Sequence, residues 1–187
     1  MIQGHINNFC MLLAMRAARG ADTEESRRSP AESNASTGPR GSRGFDDRSK
    51  DFVALCTRLI RLSHTFFWAQ TATISNGLND CDDYREEAAA CSVPVDDEYI
   101  GPLLLSPYGL QALVDAGQLT QEEREGLMGT GLPPSQYAYT LLVWVGVHCN
   151  AALCDGALRG GPGLEENVFR QLATLRACMF NVDNFCA

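Results

Sequence analysis

The stretch Tyr137–Arg159, YAYTLLVWVGVHCNAALCDGALR, is the most apolar segment of the chain. Pro133-Pro134 precedes it, and the helix-breaking Gly160-Gly161-Pro162-Gly163 follows it. A membrane span needs about 18 or more uninterrupted apolar residues. Here His148, Cys149 and Asn150 interrupt the run and Asp155 closes it, so the pattern predicts a helix buried inside a protein. The remaining segments are predicted to pack around it.

Those segments read as helices. Ile2–Arg19 places Ile2, Ile6, Phe9, Leu13 and Ala17 at helical spacing, a short amphipathic helix that Gly20 ends. Ala21–Lys50 carries Ser, Gly, Pro, Arg and acidic residues with Phe45 as its one large apolar residue. Such a stretch buries too little surface to offset its ordering entropy and is expected to be a disordered linker. From Asp51 a long helix is predicted to run to Asn76-Gly77, with Phe52, Leu55, Leu59, Leu62, Phe66, Ala69 and Ile74 on one stripe. Val53, Ile60, Phe67 and Trp68 widen that stripe, so burial on more than one side is expected. His64, among apolar neighbours and without a carboxylate at helical spacing, reads as a core histidine.

Asp80–Glu98 concentrates acidic residues, with Arg85 as its one basic residue. It lacks the sixth-position glycine and closing glutamate of a calcium loop, so a solvated acidic loop is expected. Ser106–Gly117 has a capping serine, a proline at the first helical position and a glycine just past the end. Thr120-Gln121-Glu122-Glu123 is a capping box opening a short helix to about Met128. A last helix is predicted over Leu164–Val182, with Leu164, Val168, Leu172, Leu175 and Met179 aligned. No segment sustains strand alternation. The fold class is therefore all-α, organised as 1–20 (short helix), 21–50 (linker) and 51–187 (helical region).

Chemistry is hard to find. The net charge of -8 disfavours nucleic acid, whose phosphates need clustered Lys and Arg. The eight cysteines contain no C-x-x-C pair and no zinc spacing, which predicts free thiols, no metal and no cofactor. Cys149 and Cys154 lie five apart, roughly 500° round a helix, so they do not stack. No nucleophile elbow, P-loop, dinucleotide fingerprint or H-E-x-x-H motif occurs. His148 and Cys149 are adjacent, and adjacent helical residues point about 100° apart, which argues against a catalytic pair. An enzyme is not expected. No signal peptide is read at the N-terminus, and the sequon at Asn34 gains no support from one.

Four blocks, taken in order, resemble the cytosolic middle portion of the bestrophins, a family of pentameric anion channels. Arg58–Ser75 is similar to the family helix that opens on T-L-[IM]-R-Y and closes on R-S-V-S, with Arg61 and Ser75 in place. Leu113–Leu127 is similar to L-V-x-A-G-[FL]-[ML]-T-x-x-E, with Ala116, Gly117, Thr120 and Glu123 in register. Leu132–Arg159 resembles the L-P-H-x-x-[FY]-W-V-P-x-V-W-F segment and its G-R-I-R-D loop through Leu132, Pro133, Val143, Trp144, Gly156, Leu158 and Arg159. Thr174-Leu175-Arg176 and Met179–Phe185 resemble T-L-R and L-Y-x-Y-D-W, with Asp183 on the family aspartate.

The resemblance implies a subunit of a chloride or bicarbonate channel, homopentameric and integral to a membrane when full length. It implies two transmembrane helices before this segment, two after it, and a calcium clasp beyond its end. The chain is accordingly expected to be a bundle fragment contributing the cytosolic part of an ion path, with 21–50 and the acidic loop as insertions. Leu158 takes the place of the family's cytosolic constriction, flanked by Gly156 and Arg159, and five such leucines would form an apolar ring. Ala157 and Gly160 stand where the family has arginine and aspartate. The alternative from another class is a soluble all-α interaction protein without channel activity.

Overall fold

The computed structural model describes residues 2–17, 45–75, 103–161 and 163–186, and these form an all-α fold. Six α-helices follow one another: α1 (Ile2–Arg16), α2 (Asp47–Ser75), α3 (Pro107–Asp115), α4 (Gln121–Gly129), α5 (Tyr137–Asp155) and α6 (Leu164–Cys186). Single 3-10 turns at Leu103–Leu105 and Pro134–Gln136 lead into α3 and α5. The acidic stretch Asp80–Glu98 and most of the predicted linker, with Asn34, lie outside the described residues.

The helix starts have local causes. Ser106 caps α3, its hydroxyl accepting from the Gly109 N–H, and Pro107 follows at the first position. Thr120 and Glu123 close the predicted capping box on α4. The long helix begins earlier than expected. Asp46 accepts from the Ser49 N–H at 2.7 Å, and the Lys50 N–H donates to the Asp46 carbonyl, so α2 starts at Asp47. By composition residues 47–50 belong to the linker. A side-chain cap and acid in the first turn stabilise a helix there in spite of its polarity. At the other end of the chain, α6 runs past the predicted Val182 to Cys186.

The core lies between α2 and α5, which share the most extensive helix contact, and α1 and α6 pack alongside. From α2 come Cys56, Leu59, Ile60, Phe66 and Phe67, and from α5 come Leu141, Val145 and Cys149, all essentially inaccessible. Burying each large apolar side chain contributes about 1.5–3 kcal/mol. The stripe on α1 meets this core through Phe9 and Leu13. The expected burial of α2 on more than one side is observed, except that Trp68 is 45% exposed.

The expected burial of α5 holds for one face only. Pro134–Asp155 is the one stretch of described residues long and apolar enough to cross a bilayer, and 50% of its most apolar window is buried inside the protein. Val143 and Val147 remain exposed. α5 and α6 form an antiparallel hairpin: Gly146 lies against Phe169 and Leu172, and Arg176 sits over the Tyr139 ring at 5.8 Å. Phe169 and Phe180 are exposed on the α6 side of the same seam.

Candidate functional site: the loop after α5

Gly156 ends α5 with φ 81°, a left-handed conformation that costs other residues steric strain. The chain then folds back so that the Leu158 N–H donates to the Ala152 carbonyl at 2.9 Å. The Asp155 carboxylate accepts from the Ala157 N–H. These bonds satisfy groups that a helix terminus otherwise leaves open.

Two distant elements grip this loop. The end of α1 pairs with it as an isolated antiparallel bridge between Ala17 and Leu158, and the Arg159 N–H donates to the Arg16 carbonyl at 2.7 Å. The start of α2 supplies Ser49, fully buried, whose hydroxyl donates to the Ala157 carbonyl at 2.9 Å. It also supplies Arg48, paired with Asp155 at 2.7 Å on the surface. Two distant chain segments thus converge on the five residues from Asp155 to Arg159.

Of the residues singled out by resemblance, Gly156 makes the turn and Arg159 is exposed, its Nε donating to the Gly156 carbonyl. Leu158 is 3% exposed and belongs to the core of the single chain. Leu158 sits at the bridge that joins the end of α1 to the loop, and Arg159 is exposed beside it. Sequence comparison alone carried no sign of this, because the residue that covers the loop, Ala17, is 141 positions away and has no motif.

The histidines and cysteines are dispersed differently from their spacing. His148 is half-buried and Cys149 fully buried, on different faces of α5. Cys149 meets Cys56 of α2 instead. The hydrogen bond between those thiols, together with burial, pushes the Cys56 pKa far up and leaves it without nucleophilic character. Cys10, Cys56, Cys149, Cys154 and Cys178 are free thiols. Among the described residues no three His, Cys, Asp or Glu side chains are grouped to hold a metal. His64, expected as a core residue, is half-buried and accepts at Nε2 from the Trp68 indole at 2.7 Å.

In the sequence Arg58 stands out only as the start of the first bestrophin-like block. It forms a two-point ion pair with Glu123 and also donates to the Gln118 carbonyl. The signal for it is the position of Glu123 in the capping box: its carboxylate accepts from the Thr120 N–H at Oε2 and still has capacity at both oxygens for a guanidinium. Compared with protein-family models, with curated proteins and with solved structures, the chain matches none.

Proposed function

We propose that the chain is part of a bestrophin-like anion channel subunit, homopentameric and membrane-integral in its full-length form, and that it contributes the cytosolic section of a path for chloride or bicarbonate. The observation that carries this reading is the uncovered apolar seam of the α5–α6 hairpin. Val143 is 57% exposed, Val147 61%, Phe169 38% and Phe180 57%. Exposed large apolar side chains on two packed helices are the kind of surface that a contact face presents, and neighbouring subunits packed round one axis would cover it. The four sequence blocks in family order are the second support. Leu158 would form its ring only if assembly opened the Ala17 bridge; otherwise Arg159 is the loop's contribution to the path.

The test has a genetic and an electrical part. Apolar spans of about 20 residues should flank this coding region in its gene, and the full-length product should carry anion current in planar bilayers. Flanking sequence without spans, or a purified product that conducts nothing, sinks the proposal.

One observation favours a second reading, a soluble helical interaction protein. The loop after α5 is sealed by α1 and α2 within one chain, and Leu158 completes a core that needs no neighbour. On that reading Met1–Ala187 is soluble, melts cooperatively, and uses the α5–α6 seam for a partner of a different sequence.

A further inference from the structure

Between α1 and α2 lies a groove of about 350 Å³ lined by Gln3, Ile6, Asn7, Cys10, Thr57, Arg61, His64 and Thr65. Its lining contains a cation and no carboxylate, in a chain whose net charge is -8. Arg61 is exposed and makes no ion pair among the described residues. Its charge is felt by the Cys10 thiol across the groove.

The hydrogen bonds already made determine what the lining can still offer. The Asn7 carbonyl accepts from the Gln3 amide at 3.0 Å, which leaves the Asn7 NH2 as a donor. His64 accepts from Trp68 at Nε2, so its ring proton sits on Nδ1, a second donor. Burial holds the His64 pKa below its usual value, so the ring stays neutral around pH 7 and the positive charge of the lining is that of Arg61. Thr65 donates to the Arg61 carbonyl, and Thr57 is engaged with Cys10. The groove therefore offers the Asn7 amide and the His64 Nδ1–H as donors beside one guanidinium, with the Gln3 amide oxygen also in its lining.

We infer that the α1–α2 groove is a binding site for a small monocarboxylate, held at its two oxygens by Arg61 with Asn7 and His64 donating beside it. The planar guanidinium fork matches a carboxylate in two-point geometry. One cation balances a single negative charge and leaves a phosphate dianion undercompensated. Ile6 supplies an apolar wall for a short carbon chain. The site is independent of the channel proposal, since none of its lining residues belongs to α5 or α6.

The probe is sodium acetate, titrated at constant ionic strength into the full chain. Calorimetry and the Arg61 side-chain NMR signal report binding, with sodium chloride and sodium phosphate as parallel arms. Saturable binding of acetate with a shift of the Arg61 Nε–H signal is expected, and neither chloride nor phosphate should match it. Arg61→Gln should weaken acetate by about tenfold or more, the loss of a charge-assisted two-point contact. Arg61→Lys should weaken it less, and Asn7→Ala severalfold, with unchanged helical circular dichroism in each. Absence of saturable acetate binding overturns the inference. So does unchanged affinity in Arg61→Gln, or tighter binding of phosphate than of acetate.

Discussion

The guanidinium of Arg58 and the carboxylate of Glu123 meet at 2.8 and 2.7 Å across 65 residues of chain, tying the middle of α2 to the first turn of α4. Both side chains are mostly shielded, at 28% and 16% exposure. Burial alone would raise the Glu123 pKa; the hydrogen bonds from Arg58 and from the Thr120 N–H outweigh it and hold the carboxyl below its ordinary value. The Arg58 pKa is raised by the same pair.

Removing either partner should therefore destabilise the fold. Arg58→Ala and Glu123→Gln should each cost about 1.5–3 kcal/mol in urea unfolding, with a non-additive double mutant. A depressed folded-state pKa contributes stability above the unfolded value, about 4.3 for Glu. That contribution should fade as pH falls from there through the lower folded pKa. The raised Arg58 value loses its share only in the guanidinium range, above about 12. Equal acid sensitivity in wild type and Glu123→Gln would disprove the assignment.

Leu158 distinguishes a sealed loop from an open ring. As a core residue, Leu158→Ala should lower stability by about 2–5 kcal/mol. As an open-ring residue it should leave stability unchanged and shift anion permeability ratios in the full-length channel. Thermal melts of Met1–Ala187 and bilayer recordings of the full-length product measure the two quantities independently.

Ser49→Ala should weaken the grip on the same loop. It strips the buried Ala157 carbonyl of its side-chain donor and should cost about 1–3 kcal/mol. Amide exchange around Gly156–Arg159 should quicken more than in the α3–α4 region. Uniform quickening would show that the contact is not local.

Gly109 should tolerate no side chain. A Cβ there would run into the backbone carbonyls of Leu103 and Leu104, which cannot move aside as a side chain could. Gly109→Ala should destabilise by about 1–3 kcal/mol or more by overpacking, read from the denaturant midpoint.

Thiol labelling should follow burial. Among the cysteines whose side chains are described, Cys154 is exposed and should react first with a water-soluble maleimide, while Cys56 and Cys149 stay silent until the protein unfolds. Peptide mapping by mass spectrometry reads the order, and early modification of Cys56 would contradict the packed α2–α5 interface.

Much of this architecture is written locally. Periodicity at Ile2, Ile6, Phe9 and Leu13, the Ser106-Pro107 start, the Thr120–Glu123 box and the aligned leucines of α6 each act within one or two turns, so the sequence by itself determined that the chain is all-α and where most helices begin. The start of α2 is set by a single cap, Asp46, which the polar composition of residues 47–50 hides. What only the tertiary structure decided is which faces meet. Leu158 bridges to Ala17, the Ala157 carbonyl accepts from Ser49, Cys149 meets Cys56, and Arg61 with His64 faces α1 across a groove. Each of these joins positions at least 51 residues apart, and periodicity reports only that a face is apolar, not what covers it.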